Sequence, residues 1–336
     1  MISFSRPRFR RQLGAWFARH GRALPWRKTR DSYAILVSEF MLQQTQVATV
    51  LHYYEHWLAR FPDLAALARA PESEVLHAWQ GLGYYARARN LHAAAKFVCE
   101  HFGGVLPHDH AQIAALPGIG RYTAGAISSF AFDRPAPIVD ANIARVLARL
   151  TNSQIPIDTA AGRAHLWQIA TELLPHDRGR AHNSALMELG ALICRPRRPL
   201  CAQCPVRVFC AATEPDSLPR KKPKPRQIRL NEAHGFIFRR DRILLEQSRD
   251  RWRGMWILPR LTNAPARPPL VRLDFPFTHH RITLSVFAEA RRKLPNKHER
   301  WFPIPALAEI PLPSPHRRAL TRLLPRQKLG SARLDA

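Results

Sequence analysis

Apolar residues recur at three- and four-residue spacing through the first two thirds of the chain, the period of amphipathic helices. The runs DLAALARA, ESEVLHAW, RARNLHAAAKFVCEHF, TAGAISSFAF, NIARVLARL, AGRAHLWQIATELL and SALMELGALI all carry it, with Pro and Gly between them. Residues 1–212 are therefore expected to be all-α, starting with a helix that puts Leu13, Trp16 and Phe17 on one face. The stretch 213–230, TEPDSLPRKKPKPRQIRL, reads as a basic, Pro-rich linker. Beyond it the pattern changes. HGFIFRR and RILLEQS predict two strands around a turn at Arg240-Asp241. RITLSVFAEA predicts a strand with Ile282, Leu284, Val286 and Ala288 on one face, Thr283, Ser285 and Glu289 on the other. SPHRRALTRLL predicts a short helix, so residues 231–325 form a small α+β domain, and 326–336 a frayed tail.

One helix breaks its own pattern. In SEFMLQQTQV, Glu39 stands against Phe40, Met41 and Leu42, with Gln43, Gln44 and Gln46 following in the same expected helix. Apolar surroundings disfavour a carboxylate anion, so Glu39 is a candidate proton donor near neutral pH. A second carboxylate, Asp140, precedes a helix whose apolar positions are Ile143, Val146, Leu147 and Leu150. Alone it would be an ordinary N-cap. Some twenty residues upstream of it, LPGIGRYTAGAI makes a tight turn with Gly118 and Gly120 at the start of a helix, where backbone N–H groups can hold a phosphate.

Charge narrows the partners. Lys and Arg number 52 against 25 Asp and Glu, a formal net charge of +27, which suits a polyanion such as nucleic acid. No stretch approaches the roughly 18 to 20 apolar residues of a membrane span. Four of the five cysteines, Cys194, Cys201, Cys204 and Cys210, fall in CRPRRPLCAQCPVRVFC with the spacing C-x6-C-x2-C-x5-C. Zinc or an iron–sulfur cluster could use such a set, and the single C-x2-C pair favours a [4Fe–4S] cluster. Cys99, in AAAKFVCEHF, reads as a buried filler.

Together LPWR, SEFMLQQTQVATV, WQGLGYYARARNL, LPGIGRYTAGAI, PIVDANIARVLAR and the cysteine loop resemble the helix–hairpin–helix DNA glycosylases that carry an iron–sulfur cluster. More closely they resemble the MutY-type adenine DNA glycosylases. That resemblance implies a monofunctional hydrolase of base excision repair. It would remove adenine opposite 8-oxoguanine or guanine from duplex DNA, after flipping the nucleotide out of the stack. It implies a monomer working on bacterial, cytoplasmic DNA.

Residue by residue, Glu39 matches the family's general acid and Asp140 the carboxylate that steadies the sugar cation, with Asn142 its polar partner. Tyr122 stands where bifunctional relatives carry the lysine nucleophile, so strand cleavage is not expected. Gln44 and Tyr84 match residues that wedge into the stack, with Arg87 and Arg89 beside Tyr84 for phosphates; Trp26, Arg27 and Glu188 match the adenine pocket. The C-terminal part resembles a nudix-like lesion-reading domain that lacks the R-E-x-x-E-E catalytic run. Its lesion-reading loop is Phe277-Thr278-His279, with Thr where the family has Ser. The rivals are an endonuclease-III-like glycosylase/lyase for oxidised pyrimidines and a non-catalytic iron–sulfur DNA-binding protein.

Overall fold

The helices expected from the periodicity are present in a computed structural model that describes residues 2–223, 225–289 and 295–324. The expected tail, 326–336, lies outside the described residues. In chain order come α1 (Arg6–His20), α2 (Pro25–Lys28), α3 (Ser32–Leu42), α4 (Val47–Arg60), α5 (Leu64–Arg69), α6 (Glu72–Ala78) and α7 (Ala86–Phe102). They are followed by α8 (His110–Ala114), α9 (Arg121–Phe130), α10 (Ala141–Leu150), α11 (Ala160–Leu173) and α12 (Gly179–Leu192). The strands are β1 (Ile228–Phe236), β2 (Phe238–Arg239), β3 (Arg242–Gln247), β4 (Trp256–Ile257), β5 (Val271–Phe277), β6 (His280–Ala288) and β7 (Glu299–Pro303), before a last helix α13 (Ser314–Leu323). A mostly helical N-terminal part is thus followed by a mixed α+β part. No helix among the described residues is long and apolar enough to cross a membrane.

Contacts divide the chain into two units, Met1–Ala65 with Ala93–Pro223, and Ala66–His92 with Lys224–Ala336. In the first, α1 contributes Phe9, Leu13 and Trp16 to a core shared with α10, α11 and α12. The N-caps are made by side chains as the sequence suggests: Asp109 accepts from Gln112 N at 3.0 Å, Asp140 from Ile143 N at 2.7 Å and Thr159 from Gly162 N at 2.9 Å. The stretch read as a linker is bound down at its start. Leu218 is buried, its carbonyl accepts from Arg149 Nε at 3.1 Å, and Arg220 O accepts from Ile157 N at 3.0 Å.

α3 is the most buried of these helices. From Tyr33 through Met41 no residue is more than 4% exposed, the mark of a helix surrounded by others. Its start is fixed by Asp31, which accepts from Tyr33 N at 2.9 Å. Tyr33 pins it to α4 by donating to Phe61 O at 2.7 Å and accepting from Trp57 Nε1 at 3.2 Å. The helix ends earlier than its sequence suggests. Gln43 has extended ψ and Gln44 a left-handed φ of 55°, so Gln43–Gln46 is the turn into α4 rather than helix surface.

In the second unit β6 pairs parallel with β1 and antiparallel with β5, while β2, β3, β4 and β7 form another sheet. Ile282, Leu284 and Val286 are buried as the alternation predicts, and Leu284 and Val286 pack with Leu273, Ala319 and Leu320 in one core. The alternation then fails: Ala288 is exposed at the strand end, and Phe287 is buried on the opposite face.

Close helix approach has one glycine-dependent point near the candidate carboxylate. A Cβ on Gly190 would lie 2.7 Å from Asn142 Cβ and 3.0 Å from Asn142 O, so α12 meets α10 backbone to side chain. Gly190→Ala should cost about 1–3 kcal/mol by overpacking. Gly14→Ala, mid-helix in α1 with nothing within 4 Å, should gain about 0.5–1 kcal/mol. Urea titrations of both variants check this; a stable Gly190→Ala would mean the helices can separate at no cost.

Candidate active site

A cavity of about 680 Å³ opens in the first unit, with walls from α2, α3, the turn after it, α9, α10 and α12. Glu39, Tyr122, Asp140, Asn142, Trp26, Arg27, Gln44 and Glu188, far apart in sequence, all line it.

Glu39 is 3% exposed. Burial in α3 is the main cause that raises its pKa to about 7, the Tyr122 hydroxyl donating to it pulls the other way, and the nearby Asp140 raises it further. Tyr122 sits at the second position of α9, just past the hairpin turn. Burial first, and then the two carboxylates, hold its phenol well above the usual range, so it stays a hydrogen-bond donor.

Asp140 is solvated differently. Burial raises its pKa too, but Ile143 N donates to Oδ1 at 2.7 Å and Asn142 Nδ2 to Oδ2 at 3.0 Å, and the Arg145 charge also favours its anion. Arg145 fixes which way the Asn142 amide faces. Its Nη2 donates to Asn142 Oδ1 at 2.8 Å and to Gly190 O at 2.7 Å, and its Nε to Cys194 O at 2.7 Å. Of the two carboxyls, Glu39 has the Tyr122 hydroxyl as its donor, while Asp140 has backbone and amide donors and the Arg145 charge, so burial is offset further at Asp140.

Across the cavity, Glu188 is fully buried and paired twice. Arg22 Nε donates to Oε1 at 2.8 Å and Arg27 Nη2 to Oε2 at 2.8 Å. Burial alone would raise its pKa; the two arginines overcome that and bring it down to about 2. Arg22, which no motif singled out, adds Arg22 N at 2.9 Å from Oε1 and Nη2 at 2.9 Å from Oε2. Arg180 ties α12 to the end of α2 by donating to Arg27 O and Thr29 O, both at 2.7 Å. Trp26 is 8% exposed and sets its ring edge-on to Tyr54 at 5.4 Å, so it is core and cavity wall at once.

The hairpin joins α8 to α9. Gly118 has φ 72°, a conformation that favours glycine. A Cβ at Gly120 would meet nothing within 4 Å, so that edge is open to a ligand. Arg121 lies over the Trp167 ring at 3.9 Å.

The remaining expected site residues belong to the second unit. Tyr84 is 48% exposed with φ 46°. Arg87, expected at phosphates, turns inward instead: it is 6% exposed and donates to Leu82 O at 2.8 Å and Gly83 O at 3.2 Å. Phe277 ends β5 and Thr278-His279 is the turn into β6; Thr278 has φ 52°, and its hydroxyl donates to Phe277 O at 2.7 Å.

The expected [4Fe–4S] cofactor is corrected. Among the described residues no group of three or more His, Cys, Asp or Glu is arranged to hold a metal ion. Cys194, Cys201, Cys204 and Cys210 are half-buried thiols, and two of them bond within the protein. Cys194 Sγ accepts from Arg149 Nη1 at 3.3 Å, and Cys210 Sγ donates to Arg149 O at 3.5 Å. Burial raises the Cys194 pKa and pushes Cys204 up to about 11. The residues as arranged do not fit the cluster.

Residues 37–170 match the family model described as "HhH-GPD superfamily base excision DNA repair protein". The adenine DNA glycosylase of Buchnera aphidicola subsp. Schizaphis graminum is 32% identical over 252 residues, which cover 73% of this chain and 72% of that protein. The chain belongs to the adenine DNA glycosylase family. The family member from Rattus norvegicus is 46% identical over 213 residues, covering 61% of this chain; the match spans about two fifths (41%) of the rat protein. Among solved structures, a thermostable thymine-DNA glycosylase is 31% identical with a TM-score of 0.57, covering 61% of this chain and 95% of its own.

Glu39 carries a stability cost that pH exposes. Its folded pKa, about 7, lies above the 4.5 of an ordinary Glu, so the native state prefers the protonated form. Stability from this group is therefore full below 4.5 and lost as pH rises through 7. At pH 8 the loss is on the order of 3 kcal/mol. Glu39→Gln should raise the melting temperature at pH 8 and change it little at pH 4. A variant equally or less stable at pH 8 would mean the carboxyl is not desolvated.

Proposed function

We propose that this chain excises adenine from mispaired duplex DNA as a monofunctional N-glycosylase. The observation that carries the reading is a single cavity holding two carboxyls in electrostatic contact, Glu39, with a pKa that burial raises to about 7, and Asp140, on which backbone and Asn142 donors converge. Breaking the bond between a purine and deoxyribose needs both. Glu39 gives its proton to the departing base, at N7 of adenine, and is then the base that draws a proton from water. Asp140 faces the oxocarbenium-like sugar and offsets its charge. A cavity of about 680 Å³ has room for an extruded nucleoside.

Tyr122 speaks against the lyase alternative. No lysine is among the residues lining the cavity, and a phenol held protonated beside Glu39 cannot form an imine with the sugar. It serves instead to aim the Glu39 carboxyl. The non-catalytic alternative is disfavoured by cost, since a binding protein has no use for a buried acid that weakens it above neutral pH.

The other expected roles fit this reading. Trp26, Arg27 and Glu188 make the adenine-facing wall, with Glu188 ionised and held by Arg22 and Arg27. Gln44 lines the same cavity from the turn after α3, which suits a wedge into the base stack. Gly118 and Gly120 would take a phosphate at the start of α9. Tyr84 and the turn Phe277-Thr278-His279 would read the opposite base, 8-oxoguanine or guanine. Such a protein acts as a monomer on DNA, in a bacterium at the nucleoid.

Duplexes bearing A opposite 8-oxoguanine, A opposite G, and an oxidised pyrimidine test this directly. Free adenine from the first two, without strand cleavage, is expected. Glu39→Gln should lower the rate by at least about 100-fold while leaving mismatch affinity nearly unchanged. Equal losses of binding and excision, or borohydride-trapped strand scission, would exclude the roles assigned to Glu39 and Tyr122. The wild-type rate should also fall as pH rises above about 7, as Glu39 loses its proton.

A further inference from the structure

One wall of the active-site cavity cannot support itself. α2, which carries Trp26 and Arg27, is a single turn of four residues, and no side chain caps its start. A helix that short has no cooperative stability in water, and its last carbonyls have no later turn to bond. Its Arg27 side chain is nevertheless held closely. It meets Glu188 Oε2 at 2.8 Å, donates from Nη1 to Arg22 O at 3.1 Å and lies over the Phe17 ring at 5.4 Å. All of these contacts sit at the far end of a long side chain, so they leave the α2 backbone free to shift.

The backbone is held from α12. Arg180 Nη2 donates to Arg27 O and to Thr29 O, both at 2.7 Å, and its Nη1 donates to the carbonyl of Phe130, the last residue of α9. Arg180 is itself fixed at the main chain. Its N–H donates to Asp133 Oδ1 at 3.0 Å, and a Cβ on the preceding Gly179 would lie 2.5 Å from Arg134 O. One guanidinium therefore joins the end of α2 to the end of α9, which carries Tyr122, and to the start of α12, which carries Glu188. Its placement has a cost: burial, and then the charge of Arg30, disfavour the cation, with Asp133 opposing them. Carbonyl oxygens at the open ends of two helices offset that cost.

We propose that Arg180 is a positioning residue for excision: by bonding Arg27 O and Thr29 O it holds Arg27 against Glu188, and so keeps the adenine-facing wall assembled before a base enters. It acts through Arg27 and not on the base, although it lines the same cavity, because its Nη atoms are taken by carbonyls. Glu188 shows what is at stake. It is fully buried, and its anion is held by Arg22 and Arg27 together. With α2 adrift, that carboxylate would keep Arg22 alone, whose side chain is 38% exposed. A displacement on the order of 1 Å in a group that orients substrate costs about 100-fold in rate. The inference deepens the adenine-excision reading and rests on it.

Single-turnover excision from a duplex bearing A opposite 8-oxoguanine, measured beside binding of the same duplex, tests it. Arg180→Met should release adenine about 10- to 100-fold more slowly, with affinity within about threefold of wild type. Arg180→Lys keeps the charge but has a single nitrogen to share among the carbonyls, so it should recover part of the rate. Arg180→Met combined with Arg27→Met should be no slower than Arg27→Met alone, because the first residue works through the second. General loosening of the fold would instead multiply the two losses. Melting curves give the folded fraction of each variant, and if Arg180→Met does not fold, Arg180→Lys takes its place in the same cycle. An unchanged rate, losses that multiply in the cycle, or affinity lost in step with rate would overturn the inference. Wild-type protein that releases no adenine sinks the excision reading itself, whereas wild-type release with any of those three results sinks only the role of Arg180.

Discussion

Everything in the candidate active site depends on the desolvation of one carboxyl. α3 is buried on every side, and Glu39 sits inside it as the one acid. Had α3 a solvent-facing stripe, Glu39 would ionise like any surface glutamate and have no proton to give at neutral pH. The same burial makes the second carboxyl meaningful. Asp140 lies close enough to raise the Glu39 pKa, and its own charge is tolerated because backbone and Asn142 donors take the place of water. The pair is asymmetric because the donors are: α10 begins at Asp140 and turns its free N–H toward the carboxylate, while Glu39 is mid-helix, where backbone donors are already used.

That asymmetry was partly legible in the chain. Glu39 stood out because an acid among Phe40, Met41 and Leu42 breaks a periodic pattern, and Asp140 because it precedes one. The hairpin showed itself through two glycines at fixed offsets. Periodicity also carried the helices, since each must present an apolar face to a core, and it carried β6 until Phe287. There the strand reaches its end, and the apolar ring goes to the face that lacks the main core.

What escaped was interaction at a distance. Arg22 and Glu188 are 166 positions apart, and nothing local marks either as the other's partner. Arg145 reads as a polar position on α10, yet it spans from Asn142 to the carbonyls of Gly190 and Cys194. The grouping of residues 66–92 with the C-terminal unit is likewise a tertiary fact. The cysteine loop failed differently. Spacing measures how near thiols lie along the chain, not whether their sulfurs are arranged to hold a metal ion.

The arginines change what the net charge means. A count of +27 suggests a polyanion partner, but part of that count never reaches the surface field. Arg87, Arg145 and Arg149 are 6%, 8% and 1% exposed. Each guanidinium offers five fixed donors, and here they close off carbonyls that secondary structure leaves open. Arg149 takes Leu218 O, Arg195 O and Pro196 O, fastening the cysteine loop and the start of the basic stretch to α10. Arg10 takes Glu172 O, Leu173 O and Leu174 O, the unpaired end of α11. These bonds are little screened by salt because they are enclosed, whereas the attraction of exposed arginines to phosphates falls steeply with it. Salt therefore separates the two populations: it should weaken contacts with a polyanion well before it loosens the fold.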